Sequence, residues 1–581
     1  MPLLDIAHSR LKEARNSPAL CILLYAKSVI EGVRITVVCL KLFRSRQPQP
    51  TGCIEDGKAG EKACLIGYAF SRSWLRRLTE RTSAVKVARG ASYLWTQTLV
   101  TNLIGMVAFA FTARLISTSQ MGLLAILSLV LNLAQLIAPL SLPSAVARFV
   151  AEETAKGETQ SAAAVFYQST KVSMSLSAIL AAACYLFASQ ISAALSAEPV
   201  VFQLLAVDIF LIAGLAQTLG RALIGAQMFR GFSLVTIAYG VVRQTLIVGM
   251  LLLFHDFSWL VYAWVISDLL YVLMMIVPLI KALGPPTFGF SLRRLLRFSL
   301  PLVPGRAVGL ASGWYDRVLL VPYASLSQLG IYNATLTAFG VLSAIPGGIA
   351  TALYPAYAEI QTVKGKAGLE DAIRVASRYV SFIAIPLTLG LLATSKPALS
   401  LFAGEPYEYG STVLQIVTIF FALTLLDNAL GSILLLLGET GTASIVVTAN
   451  VAASLITALI LLPPLGIIGA AVSRGVGMSV DFALTIVVAK RQIRLSFDHE
   501  ALWKSAAAGI LMAVVVWFAQ YVYYNRLMLP AYMLIGTIAY LSGLRLLKAI
   551  HPPDIDLAKQ FLGRRYELPM NLLSKILYSG P

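Results

Sequence analysis

The chain has 581 residues, of which 58% are hydrophobic and 13% charged, and its mean hydropathy is +0.77. This composition excludes an ordinary soluble protein of this length and indicates a protein that lies in a bilayer. The formal net charge is +18, but the basic residues are spread along loops without interleaved aromatics, which argues against nucleic acid as a partner.

The first 88 residues differ from the rest and are predicted to form a basic cytoplasmic extension. Their apolar runs, Ala19–Ala26 and Ile35–Leu40, are too short to cross a membrane. Nothing here resembles a signal peptide, so we expect either an amphipathic surface segment or an artefactual upstream start. Most of the cysteines lie here without CxxC or metal-ligand spacing, which indicates reduced thiols and no metal site.

From residue 89 the sequence predicts about fourteen apolar segments, each close to the 20 residues that one helical crossing requires. The first seven are Ala91–Ser117, Met121–Pro143, Lys171–Leu195, Val201–Gly220, Phe232–Phe254, Trp259–Ile280 and Ser299–Tyr323. The other seven are Leu329–Ala350, Tyr379–Thr394, Ser411–Leu437, Ala443–Pro463, Gly466–Ala489, Lys504–Tyr524 and Leu529–Leu547. The predicted fold is therefore an all-α polytopic membrane protein.

Lysine and arginine concentrate in the loops on the side of the amino terminus. The opposite loops carry only Arg114, Lys396 and Arg526. This bias predicts a multi-pass protein of the cell membrane with both termini in the cytoplasm, including a basic tail from residue 548 to 581. The basic face would also attract anionic membrane lipids.

An internal repeat organises the chain. The segment from Arg89 to Lys156 recurs from Arg297 to Lys364 at an offset of 208, and its clearest match pairs Ser119–Gly122 with Ser327–Gly330. An even number of spans separates the copies, so both start on the same side of the membrane. This predicts two six-helix lobes in parallel repeat, 89–282 and 283–491, followed by spans 13 and 14 in 492–547.

Several segments resemble a known transporter family. The two repeat openings, the Asp316-Arg317 pair followed by Gly330-Ile331-Tyr332, and Asn450 followed by 464–471 are similar to polysaccharide-export flippases such as those for O-antigen. That family belongs to the multidrug/oligosaccharidyl-lipid/polysaccharide superfamily. The resemblance covers about residues 89 to 490. It implies two lobes around a central cavity and a lipid-linked oligosaccharide as cargo.

The first predicted span departs from two relatives within that superfamily. Flippases for the peptidoglycan precursor carry arginines there, and many cation-coupled drug exporters carry an aspartate. Here the span offers only Gln97 and Asn102, which we keep as cavity candidates.

Charged residues inside the predicted spans are the main candidates for function. Each costs about 2.5–3.5 kcal/mol at the bilayer centre, so such groups must pair or face water. They are Asp208, Arg243, Asp268, Arg306, Asp316, Arg317, Asp427, Arg474 and Asp481.

Asp208, Arg243 and Asp268 are predicted to lie at similar depth in the amino-terminal lobe. They form either an ion pair that holds the lobe together or a proton- or cation-responsive cluster. Arg306 and Arg317 are 11 residues apart, about three helical turns, so both can project from one face and bind a pyrophosphate. The alternative is that Asp316 and Arg317 are local packing partners.

Each of the remaining candidate residues has two alternative roles. Arg474 and Asp481 can share a helix face, and with Asp427 they either pack the carboxyl-terminal lobe or line the cavity. Arg148 and Arg221 lie at the cytoplasmic mouth, as interface residues or as recruiters of the phosphate group.

These observations predict a flippase that moves a polyprenyl phosphate- or pyrophosphate-linked oligosaccharide by alternating access, without a cofactor, for polysaccharide or glycan export. The sequence contains no Walker motif, so we expect that ATP is not the direct energy source. The alternatives are a cation-coupled exporter of drugs or small amphiphiles and, from another class, a membrane glycosyltransferase or polymerase. Short outer loops argue against an enzyme, and no catalytic residue is assigned. We expect a monomer, with glycan-assembly enzymes as possible partners.

Overall fold

The computed structural model describes residues 90–285, 287 and 289–550, and within these ranges the chain is helical without β-strands. The predicted extension (1–88) and all but the first three residues of the predicted tail (548–581) lie outside the described residues. The helices before the second repeat copy are α1 (Gly90–Leu115), α2 (Thr118–Ile137), α3 (Leu142–Lys156), α4 (Thr159–Leu186), α5 (Ala188–Leu195), α6 (Pro199–Ile209), α7 (Gln217–Gly225), α8 (Phe229–Phe254), α9 (Ser258–Leu283) and α10 (Leu292–Ser299). The later helices are α11 (Val303–Leu320), α12 (Leu326–Phe402), α13 (Ser411–Leu436), α14 (Thr440–Leu465), α15 (Ile467–Gln492), α16 (His499–Val522) and α17 (Leu529–Leu546).

Twelve helices in the described ranges are long and apolar enough to cross a membrane. A multi-span membrane fold is therefore confirmed, whereas the number fourteen stays a prediction. Two features account for the difference. α11 carries Arg306, Asp316 and Arg317 within 18 residues, and the crossing counted on α12 is Gly347–Phe402, which includes little of the predicted span Leu329–Ala350. α12 itself consists of two helices joined at Gly365, whose φ of 65° breaks the helical backbone.

The two repeat copies begin their second helix in the same way. Ser117 caps α2 through the Gln120 amide, and Ser325 caps α12 through the Gln328 amide. In both cases the side-chain oxygen of the glutamine accepts a hydrogen bond from the backbone amide of the cap serine, which completes a capping box. The repeated Ser-x-x-Gln spacing therefore fixes equivalent helix starts in the two halves.

Apolar side chains hold each half together. In the first half, buried residues of α3, α4, α7 and α9 form one core, and those of α2, α6 and α9 form another that also includes residues of α12. In the second half, α13, α14 and α15 pack on one another and on α12 or α11. α16 and α17 pack together and against α12.

The fourth crossing contains a local change of helix type. Between α6 and α7, Phe210–Ala216 forms a π-helix, so the chain from Pro199 to Gly225 is continuous but underwound at its centre. At Gly214 a Cβ would overlap the Ser177 hydroxyl of α4, so glycine allows this close approach. The π-helix begins two residues after Asp208 and ends five residues before Arg221, and both are candidates for function.

Candidate functional site

The two halves meet at the membrane side that the loop charges predict to be outside the cell, here called the outer end. The Thr118 and Ser327 hydroxyl oxygens lie 2.8 Å apart. A Cβ on Gly122 would overlap the Leu326 carbonyl, and a Cβ on Gly330 would overlap the Thr118 carbonyl. Each glycine therefore meets the residue four positions before the other glycine, and the contact is symmetric under the offset of 208. We call these residues the outer contact.

Further groups strengthen the outer end on one side. The Arg114 guanidinium donates to the carbonyl of Leu401, near the carboxyl end of α12. Beside it, the rings of Phe109 and Phe402 stack with centroids 5.8 Å apart. An arginine at a helix carboxyl terminus also interacts favourably with the helix dipole. The outer end is therefore closed by polar, aromatic and backbone contacts together.

Two arginines, one from each half, lie near each other at the opposite, cytoplasmic end. Arg221 on α7 is exposed and Arg306 on α11 is half-buried, and they lie within range of electrostatic repulsion. Among the described residues neither guanidinium has an ion pair or a hydrogen bond. Two positive charges within electrostatic range of each other and without a counter-charge in the described part of the chain form a site suited to an anion.

The other predicted arginine of α11 is already engaged. Arg317 donates from Nε to Asn333 at 2.9 Å and from one terminal nitrogen to the Gly313 carbonyl at 2.8 Å. Its guanidinium also lies 4.6 Å from the ring centre of Trp314. Sequence spacing predicts that Arg306 and Arg317 project from one face. Of these two arginines, only Arg306 lacks a partner among residues 90–285, 287 and 289–550.

Asp316 lies at the centre of a buried polar cluster. Arg474 on α15 donates to one of its oxygens from Nε at 3.0 Å and from a terminal nitrogen at 2.7 Å. The Tyr332 hydroxyl donates to the same oxygen at 2.5 Å, and the backbone amide of Arg317 donates to the other at 2.8 Å. Asp316 is fully buried, so this cluster joins α11, α12 and α15 through one carboxylate.

The carboxyl-terminal half also holds two acids that lie within electrostatic range of each other. The Asn450 amide donates to Asp481 at 3.0 Å, and Asp427 lies within electrostatic range of Asp481. One oxygen of Asp427 is buried without a hydrogen-bond partner in the described part of the chain. Asp427 and Asp481 are thus brought together, whereas Arg474, seven residues from Asp481, points to Asp316 instead.

In the amino-terminal half, Arg243 pairs with Asp268. One terminal nitrogen of Arg243 lies 2.7 Å and 2.9 Å from the two carboxylate oxygens, and it also donates to the Tyr239 hydroxyl. Tyr239 in turn donates to Asp268 at 2.5 Å. Asp208, on α6, interacts with Asp268 and Arg243, but neither of its oxygens has a hydrogen-bond donor among the described residues.

The remaining sequence candidates lie apart from these clusters. On α1, Gln97 is half-buried and Asn102 is exposed. Arg148 stacks 4.6 Å from the ring centre of Phe298, at the end of α10, and so contacts the segment that links the halves. No group of three or more His, Cys, Asp or Glu side chains suited to a metal ion occurs within 90–285, 287 and 289–550.

Sequence reasoning did not identify several partners of these charges. Tyr239, Tyr332 and Asn333 each bond a charged residue. Tyr332, which Asn333 directly follows, and Asn450 entered only through the family resemblance, without an assigned role. Tyr239 lies one helical turn before Arg243 on α8, a spacing at which side chains contact, and this signal was available. Tyr332 and Asn333 lie on a different helix from Asp316 and Arg317, and no spacing rule indicates that pairing.

Comparisons with known proteins agree with this fold. The profile of the family described as "polysaccharide biosynthesis protein" matches residues 87–361. A curated relative, the probable low-salt glycan biosynthesis flippase Agl15 of Haloferax volcanii, is 21% identical over 427 residues, which cover 72% of this chain and 87% of that protein. The relatives named by function are flippases or transporters rather than enzymes, in agreement with the expectation for this chain.

Solved structures share the fold of this chain. The lipid II flippase MurJ in an inward closed conformation superposes with a TM-score of 0.61 at 15% identity, covering 78% of this chain and 97% of that one. An inward-facing multidrug resistance MATE family transporter of the MOP superfamily superposes with a TM-score of 0.55 at 14% identity, covering 68% of this chain and 94% of that one. The resemblance inferred from the sequence motifs is therefore confirmed.

Proposed function

We propose that this chain, which has the fold of the multidrug/oligosaccharidyl-lipid/polysaccharide (MOP) exporter superfamily, is a flippase for a lipid-linked oligosaccharide. The carrier is a polyprenyl phosphate or pyrophosphate, and the product serves polysaccharide or glycan export. The matched family profile and the Agl15 relative, both described in terms of glycan or polysaccharide biosynthesis, support this cargo class.

The observation that carries the proposal is the Arg221–Arg306 pair. A phosphate or pyrophosphate group between the two guanidinium groups would replace their repulsion with two attractive, charge-assisted contacts. Arginine binds phosphate oxygens in a bidentate geometry, so two arginines can hold a diphosphate in one orientation. Because the arginines belong to different halves, binding at this place would also join the two halves at the cytoplasmic end.

The outer contact supports alternating access as the mechanism. In the described state the outer end is closed by Gly122, Gly330 and the Thr118–Ser327 contact, while no carboxylate of the described residues pairs with Arg221 or Arg306 at the cytoplasmic end. This is the arrangement that a carrier needs in order to receive a headgroup from the cytoplasm. Translocation then requires the outer contact to part while the cytoplasmic ends approach each other.

Flipping by the reconstituted full-length protein tests the proposal. Vesicles containing a fluorescent polyprenyl diphosphate-linked sugar report transfer between leaflets through accessibility to a membrane-impermeant quencher. We expect Arg221→Gln and Arg306→Gln each to reduce the rate by at least about tenfold, since a charge-assisted hydrogen bond contributes about 1.5–3 kcal/mol. Arg293→Gln, an exposed arginine on α10, is the matched control and should leave the rate unchanged.

The same assay distinguishes the main alternative. MATE transporters share this fold, so export of a small amphiphilic cation coupled to an ion gradient is the second candidate. If the protein moved such a cation but no lipid-linked sugar, with or without an ion gradient, the flippase proposal would be rejected. We further propose that the protein acts as a monomer in the cell membrane, with both termini cytoplasmic and glycan-assembly enzymes nearby.

A further inference from the structure

Asp208 is a buried acid that the proposed headgroup site does not use. It lies on α6 in the amino-terminal half and is 0% exposed. Both of its carboxyl oxygens lack a hydrogen-bond donor among the described residues. A carboxylate in that state would be an uncompensated buried charge, which protein interiors avoid.

The groups around Asp208 do not supply the missing compensation. α9 contributes Asp268, which is also 0% exposed, and α8 contributes Arg243. The positive charge of Arg243 is committed to Asp268 at 2.7 Å, and Tyr239 donates to the same carboxylate. With two acids and one arginine, the cluster carries one negative charge in excess when both acids are ionised.

The other helices packed against α6 offer no further counter-charge. α2, α5 and the π-helix contain no titratable residue. On α4, Lys171 is exposed and Cys184 contacts the Phe202 carbonyl. Also on α4, Tyr185 is exposed and Tyr167 donates to the Gly284 carbonyl. On α9, Lys281 is exposed, Tyr262 packs on Trp259, and the ring of Tyr271 packs 4.3 Å from the ring of Tyr239.

We propose that Asp208 and Asp268 together bind one proton, carried on Asp208. Two carboxyl groups that interact with each other, as these do, form a hydrogen bond only when one of them is protonated. The protonated Asp208 then donates to Asp268, while Asp268 keeps its negative charge opposite Arg243. This arrangement satisfies the Asp208 hydroxyl and leaves the cluster electrically neutral.

A metal cation fits the same place less well. The oxygens of Asp268 already accept from Arg243 and Tyr239, so few remain for the six or so oxygen ligands that a hard cation takes. The Arg243 guanidinium would also repel it. The proton requires no additional ligand and removes the excess charge at the atom where it arises.

The cluster lies where a change of charge can alter the shape of the helix. Asp208 is followed after one residue by the π-helix Phe210–Ala216, and π-helical turns are often found at functional sites. Loss of the proton would place two carboxylates in contact between α6 and α9, and their repulsion would favour separation of these helices. The proton therefore stabilises the described packing of the amino-terminal half.

Infrared difference spectroscopy of the full-length protein in lipid tests this inference without any cargo. At neutral pH, the spectrum of the wild type minus Asp208→Asn should contain the carbonyl band of a protonated carboxylic acid. The matched control, Asp371→Asn, removes an exposed acid and should show only the bands of an ionised carboxylate. If Asp208→Asn gave ionised bands alone, the proposal would be overturned.

A second variant and a change of salt complete the test. Asp268→Asn should also remove the band, because Asp208 would then be the only acid beside Arg243 and would ionise. If Asp208→Asn did not fold, Asp208→Glu should retain a protonated band, and its absence would contradict the proposal. A band seen only after sodium is replaced by potassium would instead identify a sodium site. Since no step requires transport, a failure here is distinct from failure of the flippase proposal.

Discussion

Asp316 is the most fully compensated charge in the described part of the chain. One of its oxygens accepts from Arg474 and Tyr332, and the other accepts from a backbone amide. A buried ion pair of this kind contributes little compared with apolar packing, but removing one partner leaves an unpaired buried charge. Arg317 lies 4.0 Å from the second oxygen and replaces only part of the lost interaction.

We therefore expect Arg474→Gln to destabilise the protein by about 3–5 kcal/mol, the usual cost of breaking a buried pair. The measurement is the fraction that remains monodisperse after heating in detergent. Arg491→Gln, an exposed residue of the same helix, should behave as the wild type. Adding Asp316→Asn to Arg474→Gln should recover part of the loss, and equal stability of Arg474→Gln and the wild type would contradict this account.

Residue types and spacing predicted which charges lie inside the membrane, but not which of them pair. Arg243 and Asp268 were expected at similar depth because both lie about 13 residues from a basic residue at the cytoplasmic edge. The Asp316–Arg474 bond joins residues 158 positions apart, and no periodicity connects them. The lack of a partner at Arg306 likewise depends on which neighbours the fold brings near, so sequence alone assigned Arg306 and Arg317 equally.

At the scale of elements, the short helix α10 joins the two halves and docks against α3. Phe149 of α3 lies between Phe290 and Phe298, with ring centroids 5.7 Å and 5.6 Å away. Arg294 lies 4.8 Å from the centre of the Phe149 ring and 3.2 Å from Glu152. The link between the halves is thus fixed to the first half by aromatic packing and by an ion pair at the membrane surface.

Acid should loosen this docking. A hydrogen bond from Lys156 lowers the pKa of Glu152, and the charges of Lys156 and Arg294 act in the same direction. The pKa of Glu152 in the folded protein lies below the ordinary 4.5. The ion pair with Arg294 therefore stabilises the docking above pH 4.5, and this stabilisation is lost as the pH falls through the folded pKa. Amide exchange of residues 292–299, corrected for intrinsic rates, should therefore rise below about pH 4.5.

Glu152→Gln provides the control for this prediction. Its amide exchange in α10 should already be raised at neutral pH and should not respond further to acid. The effect is expected to be small, since the pair is exposed to solvent and screened by salt. Identical exchange in the wild type and Glu152→Gln at every pH would show that the aromatic contacts alone hold α10 in place.

For the molecule as a whole, hydropathy predicted the membrane fold, the repeat predicted equivalent halves, and the structure shows where the halves meet. The polarity of α11 and the single crossing counted on α12, Gly347–Phe402, prevent a simple count of crossings from matching. What the sequence could not supply is the conformational state. A repeat indicates that two halves exist, whereas closure at the outer end depends on the relative position of α2 and α12.

Locking the outer contact should stop transport. In a variant without the five native cysteines, Thr118→Cys with Ser327→Cys places two thiols where hydroxyl oxygens lie 2.8 Å apart. Oxidation should abolish flipping and reduction should restore it, because alternating access requires this contact to open. Thr118→Cys alone should flip under both conditions. Undiminished flipping by the fully crosslinked protein would exclude opening at this place.

The glycines of the outer contact also bear on how a duplicated chain diverges. Gly122 rests on the backbone of the second copy, and Gly330 rests on the backbone of the first. A methyl group gained by either copy collides with main-chain atoms of the other, and no change of side chain elsewhere can make room for it. Each copy therefore restricts the other copy to glycine at this position. This mutual exclusion accounts for glycine at position 122 in the first copy and at position 330 in the second.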